Sequence, residues 1–205
     1  MKTVVYEGRA VTPSKVVCIG RNYVEHIYEL GNEIPSSMVV FNKPNSAVTE
    51  RLHYHSEDCR FEGEICFLIE RGVFSGIGFG LDLTKADIQN HLKAKGLPWE
   101  RAKGFDGSAV LSPFVKLDVP LESLRMELWK NEELVQFADY DLMIYKPEPM
   151  LEEIKSFMTL EDGDIIMSGT PKGVGNYHVG DRFTGKVLSG DTVLIDHTWI
   201  AEEQK

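Results

Sequence analysis

The chain has 205 residues, 42% of them hydrophobic and 26% charged, with a formal net charge of -10. That length supports one sizeable core and is short for two, so a single domain over residues 1–205 is expected. The acidic balance argues against nucleic acid or an anionic membrane as partner, and no stretch has the length of a membrane span or a signal-peptide core.

In chain order, KVVCIG (15–20) reads as the first strand. NYVEHIYEL follows as a helix with Asn22 as its N-cap. MVVFNKP, EICFLIE and GIGFGLDL are the next strands. TKADIQNHLKAKG then opens a second helix at Thr84 and stops at Gly96. AVLSPFVKL and RMELWKN return to strand, PMLEEIKSFM carries apolar residues at helical spacing, and DIIMSGTP, RFTGKV and DTVLIDHTWI complete the series. Gly, Pro, Asn and Asp punctuate the runs. The expected class is mainly β (α+β), with a few short peripheral helices. Cys18, Cys59 and Cys66 show no zinc or redox spacing, and a reducing, cytoplasmic setting is expected.

FEGEI places Glu62 and Glu64 one residue apart on one strand face, with Cα atoms roughly 6.5–7 Å apart. Two such charges beside an apolar run repel and are costly to desolvate. A divalent cation would make the pairing favourable, whereas the plainer reading is a solvated strand end. Asp82, after the glycine-rich run, supplies a third carboxylate or simply caps a helix. Three carboxylates with no adjacent His or Cys suit Mg²⁺ better than zinc. His26 and Glu29, three apart, share a helix face; they form a general base with its orienting carboxylate, or an incidental surface pair. Lys103 and Lys43 could face an anion or solvent. The turn around Thr170 could present N–H groups and a hydroxyl to a carboxylate, and it lacks the order of a phosphate loop.

The succession IGRNYVEH, VVFNKPNSAV, FEGEI, GLDLTKADIQ, PWERAKGFDGSAVLSPF and DGDIIMSGTPKGVG resembles the fumarylacetoacetate hydrolase family, nearest its small acylpyruvate hydrolase and oxaloacetate decarboxylase or tautomerase branch. The resemblance implies a mixed β-roll, usually a homodimer, with one Mg²⁺ or Mn²⁺ per subunit on Glu62, Glu64 and Asp82. It places the catalytic dyad at His26 and Glu29 on a lid helix, an active-site lysine at Lys103, and substrate contacts at Arg21, Lys43, Gln89 and Thr170. The implied activity is hydrolysis of the C–C bond of acylpyruvates through a pyruvate enolate, with a small keto acid as the only partner. Oxaloacetate decarboxylation or tautomerisation, or a related isomerase or hydratase step, are alternatives, and a non-catalytic keto-acid binder is the rival class. Three departures bear on specificity. Ala86 stands where relatives commonly carry Arg, the link between EICFLIE and GIGFG is short, and QFADYD brings Ala138 and Tyr140 where relatives often read Q-x-G-x-T. Loss of that arginine leads to an expectation of weak selection for dicarboxylates.

Overall fold

The structure is a computed structural model and describes residues 1–31 and 33–204. A hairpin of β1 (Val4–Tyr6) and β2 (Arg9–Val11) leads into β3 (Lys15–Gly20), helix α1 (Val24–Glu29) and β4 (Val39–Pro44). Short strands β5 (Val48–Thr49), β6 (His53–Tyr54) and β7 (Cys59–Phe61) precede the two long ones, β8 (Gly63–Glu70) and β9 (Val73–Asp82). After β10 (Thr84–Lys85) come α2 (Ala86–Ala94) and α3 (Glu100–Lys103), then β11 (Ala109–Leu111) and β12 (Val115–Lys116). β13 (Leu124–Lys130), β14 (Glu133–Asp139), α4 (Pro147–Phe157), β15 (Ile165–Met167), β16 (Gly175–Asn176), β17 (Arg182–Ser189), β18 (Thr192–Ile200) and β19 (Glu202–Glu203) complete the described elements. Strands dominate and the helices are short, as expected from the sequence.

Two sheets carry the molecule. The larger runs β4-β3-β15-β8-β9-β11-β5, with β12 also paired to β9, and the smaller, antiparallel one runs β14-β13-β17-β18. Period-two alternation on β8 decides the layering. Ile65, Phe67 and Ile69 join the main core with Met126, Leu128, Phe183 and Trp199 of the smaller sheet. Cys66 and Leu68 face a second core with Cys18, Met167 and Phe114. Both faces are therefore covered, which is why EICFLIE is apolar without a break. β9 divides its work differently. Ile77, Phe79 and Leu81 fill the main core, while its glycines let aromatic rings lie on the sheet. A Cβ at Gly78 would meet the Phe114 ring at 2.9 Å.

The short link between β8 and β9 is a two-residue turn, Arg71 and Gly72, both left-handed at φ 53° and 73°. That conformation matches the twist of a tight hairpin. The hairpin register pairs Gly63 with Leu81 and Glu64 with Gly80, and the Asp82 N–H donates to the Glu62 carbonyl at 2.8 Å. Glu62 and Asp82 thus stand opposite one another, and Glu64 lies one repeat along the same face.

Two helix starts differ from the sequence reading. Tyr23, not Asn22, caps α1, and it makes no side-chain cap bond. Asn22 is buried and instead bridges segments distant in sequence: its amide donates to the carbonyls of Ser168 (2.8 Å) and Tyr145 (3.1 Å) and accepts from the Tyr145 N–H. Thr84 belongs to β10, so α2 begins two residues later than expected. The Thr84 hydroxyl is taken by Glu62 rather than by the helix end, at 2.7 Å.

Candidate active site

Glu62, Glu64 and Asp82 come together at the open end of the β8–β9 hairpin. One oxygen from each can be chosen so that all three lie within 4.8 Å of one another. Each carboxylate has a distinct support. Glu64 is 1% exposed, and its Oε2 accepts the Gly169 N–H at 2.7 Å. Gly169 is required there: at φ +98° its Cβ would lie 2.7 Å from the Cβ of Asn22. Glu62 accepts from Thr84 through Oε1 and from Lys103 Nζ through Oε2 at 2.8 Å. Asp82 Oδ2 accepts from Lys103 Nζ at 2.7 Å.

Charge explains the protonation pattern. Burial disfavours the Lys103 ammonium, but Asp82 and then Glu62 outweigh it and hold Lys103 above the ordinary lysine range. Burial likewise disfavours the Glu62 carboxylate, yet the Lys103 ammonium keeps it below its usual range. Among the described residues no cation pairs with Glu64. Burial, then the charges of Asp82 and Glu62, hold its carboxyl well above the ordinary value.

A cation fits this cluster. Asp82 Oδ1 is buried without an aligned hydrogen bond, although Lys43 Nζ stands 2.8 Å away. All the donors are hard carboxylate oxygens, with neither imidazole nor thiolate among them, which suits Mg²⁺ or Mn²⁺.

Above the cluster lies a cavity of about 40 Å³ lined by Glu62, Glu64, Asp82, Lys103, His26 and Thr170, with Arg21 and Gln89 also on its wall. His26, on α1, is 5% exposed, and its Nδ1 lies 3.1 Å from Glu29 Oε2. Glu29 is fixed in turn by the Gly173 N–H at 2.9 Å, and Glu25 of the same helix pairs with Lys172 at 2.6 Å. The loop after β15 therefore clamps α1 down over the cavity. Arg21, just before the lid, adopts φ 56°, a strained conformation for a residue with a Cβ.

Lys43 is placed differently from the sequence reading. It is fully buried, its ammonium donating to the carbonyl of Lys103 and to Ser108 Oγ at 3.1 Å. It faces Asp82 from behind and is not among the residues lining the cavity. Lys85, the nearest cation to Ala86 in sequence, stacks 4.5 Å above the Phe105 ring centre instead of reaching inward. Ala138 packs in the main core, and Tyr140 also lies off the cavity wall.

Sequence reasoning missed Gln136. Buried on β14, it accepts the Gly63 N–H through Oε1 at 2.8 Å and donates through Nε2 to Thr170 Oγ1 at 2.8 Å and the Pro171 carbonyl at 2.9 Å. It couples the smaller sheet to the strand of the carboxylates and to the threonine turn. Two signals were present: the glutamine at an inward position of ELVQFAD, and its place as the retained first residue of QFADYD where relatives often read Q-x-G-x-T, a segment whose departures at Ala138 and Tyr140 drew the attention instead. Lys93 was missed as well, because a lysine in a polar helix reads as solvated; it too lines the cavity.

Known proteins can now be set beside this geometry. The mitochondrial oxaloacetate tautomerase of Bos taurus is 35% identical over 185 residues, covering 82% of this chain and 84% of that protein. The oxaloacetate tautomerase of Escherichia coli is 35% identical over 190 residues, 83% of this chain and 87% of its own. A solved structure of the fumarylpyruvate hydrolase from Pseudomonas aeruginosa, in complex with Mn²⁺ and pyruvate, superposes with a TM-score of 0.88 at 27% identity, covering 99% of this chain and 96% of that one. The family model described as fumarylacetoacetate (FAA) hydrolase C-terminal matches residues 15–202, nearly all that was described above. By sequence, by fold and by the order of its motifs, the chain belongs to the fumarylacetoacetate hydrolase family.

Proposed function

We propose that this protein is a divalent-metal-dependent enzyme that converts oxaloacetate between its keto and enol forms. The observation that carries the reading is a buried carboxylate trio sharing one cavity with a buried lysine and a carboxylate-oriented histidine. When bound to Glu62, Glu64 and Asp82, the cation would supply Lewis-acid charge for a 2-oxo acid. His26 takes a proton from the carbon between the two carbonyl groups, and the C–H electron pair passes into the enolate. Glu29 holds the ring in place and supports the imidazolium while the proton rests there. Lys103, anchored by Glu62 and Asp82, faces the developing oxyanion without having to reorganise. Return of the same proton to oxygen gives the enol, with no atom gained or lost. Gln89 and Thr170 border the cavity and orient the acid, and Gln136 positions Thr170. Lys43, from its buried place, holds Asp82 and the end of α3.

Hydrolysis of acylpyruvates is a second reading, favoured by the His26–Glu29 pair, which would equally activate a water. The likeness to a fumarylpyruvate hydrolase supports it. The two-sheet fold over the matched length also supports one catalytic domain, and one Mg²⁺ or Mn²⁺ per subunit of a homodimer belongs to the same reading. A panel assay with Mn²⁺ separates the possibilities. Loss of the enol absorbance of oxaloacetate should be accelerated far more than cleavage of acetylpyruvate or fumarylpyruvate. The reverse order would establish the hydrolase. No turnover of any of the three, with oxalate still bound, would leave a non-catalytic binder.

A further inference from the structure

The inner cavity, at about 40 Å³, has room for roughly three water-sized groups, so a substrate longer than its head must reach beyond it. A larger space of about 470 Å³ lies on the other side of two aromatic rings, between β4 and the link from α2 to α3. Val39, Val40, Leu97 and Pro98 give it an apolar lining, with Asn42 and Glu100 as polar members. Phe41, Trp99 and Lys103 line both spaces. The other neighbouring space is bordered by Glu29, Arg60, Glu62 and Lys93, and four charged groups favour water there over a hydrocarbon tail.

The two rings are braced where they stand. Their centres are 5.8 Å apart and their planes are tilted by 56°. The Lys103 ammonium lies 5.1 Å from the centre of the Phe41 ring, and the Lys93 ammonium 5.2 Å from that of Trp99. Cations at this range are attracted to the faces of aromatic rings. Lys103 is itself fixed by Glu62 and Asp82, so Phe41 is tied to the carboxylate cluster. Backbone bonds hold the other ring: the Trp99 carbonyl accepts the N–H groups of Ala102 and Lys103 at 2.8 and 2.9 Å. Phe41 is anchored on β4, in register with Cys18 of β3. A pair held at both ends does not part readily for an apolar tail.

We infer that Phe41 and Trp99 form a wall that sets chain length, confining the site to short 2-oxo acids and closing the apolar space behind it to longer ones. The pair decides specificity by what it shuts out. Shaving either ring joins the two spaces, and the apolar lining then receives the tail of a longer acid. Each methylene buried there adds roughly fourfold in affinity. The inference rests on the 2-oxo acid reading above and names the residues that limit its substrates.

Equilibrium binding to the Mn²⁺-loaded protein tests it without depending on turnover. The probes are 2-oxobutyrate, 2-oxooctanoate and oxalate, which has no tail. Wild type should bind 2-oxobutyrate at least as tightly as 2-oxooctanoate. Trp99→Ala should reverse that order and favour 2-oxooctanoate by about tenfold or more. Trp99→Leu and Phe41→Leu, which keep more of the packing, should shift the ratio the same way by about threefold or more. Oxalate should bind wild type and all three variants within about threefold. A wild type that favours 2-oxooctanoate, or an unchanged ratio in the three variants, would overturn the wall. Loss of oxalate binding in all three variants would overturn it as well, because the rings would then build the head site instead of bounding it. Failure of wild type to bind any of the probes would overturn the 2-oxo acid reading itself, and the wall with it.

Discussion

At the scale of single residues, the site is a problem in placing like charges. Glu62 and Glu64 share a strand face, so their proximity follows from the alternation of side chains. Asp82 joins them through the hairpin register. This much was legible in sequence, because alternation and the E-x-E spacing are local. The partners that make the cluster tolerable were legible only in part: Lys103, which the resemblance named as an active-site lysine, arrives from α3, whereas the Gly169 N–H from the turn after β15 and Gln136 from the other sheet carried no such signal as partners of the carboxylates. Replacing Glu62, Glu64 or Asp82 by Ala should abolish turnover and also the Mn²⁺-induced rise in Tm; a mutant that keeps the full rise would exclude that residue as a ligand. Gln136→Leu leaves the Gly63 N–H unpartnered in a buried setting. It should cost about 1–3 kcal/mol in urea unfolding, with a larger loss of kcat/KM than of overall fold. A stability change near zero would mean that water replaces the amide.

At the scale of elements, the long, doubly buried strands were the easiest to read, since each of their residues faces one core or the other. Helix starts were the hardest. Asn22 and Thr84 have the side chains that helix caps prefer, but tertiary partners claim them first: Ser168 and Tyr145 for one, Glu62 for the other. Asp164 shows how a single side chain pins one element to another. It precedes β15 and is fully buried; Oδ1 accepts from the Ser14 N–H (2.9 Å) and hydroxyl (2.7 Å), and the carboxylate pairs with Lys15 at the start of β3. Burial alone would raise its pKa, but Lys15 and then Ser14 outweigh burial and hold the carboxyl below its ordinary range. Because the folded value lies below the unfolded one, the stabilisation is fully present above about pH 4 and is lost as pH falls through the folded value. Asp164→Asn should therefore destabilise the protein by roughly 2 kcal/mol near pH 7, and the gap to wild type should close in strong acid. A gap independent of pH would show that packing, not charge, ties β3 to β15. The lid can be tested in the same spirit. His26→Ala should lower the rate by about 10²–10⁴ with little change in oxalate affinity, and Glu29→Gln should lower it less.

At the scale of the whole molecule, the metal joins stability to function. The cluster is assembled from β8 and β9 at one edge of a core shared by both sheets, so occupancy should be felt in global unfolding. At one hundred times Kd, a cation binding only the folded state adds about 2.7 kcal/mol, or roughly 5–10 °C in Tm for a chain of this size. Protons compete for the same carboxylates, so the difference between loaded and apo protein should shrink as pH falls. No described helix is long and apolar enough to cross a membrane, and the net charge of -10 leaves local cations such as Lys93, Arg60 and Arg21 to draw in an acidic substrate. The central claim is that metal-assisted enolisation at the Glu62–Glu64–Asp82 cluster is driven by His26. Its most direct test follows the enol absorbance of oxaloacetate in wild type, chelated wild type and His26→Ala. Fast decay that disappears on chelation, returns with Mn²⁺ and is lost in His26→Ala is the expected result. Full-rate conversion by exhaustively chelated protein, or by His26→Ala, would contradict the account.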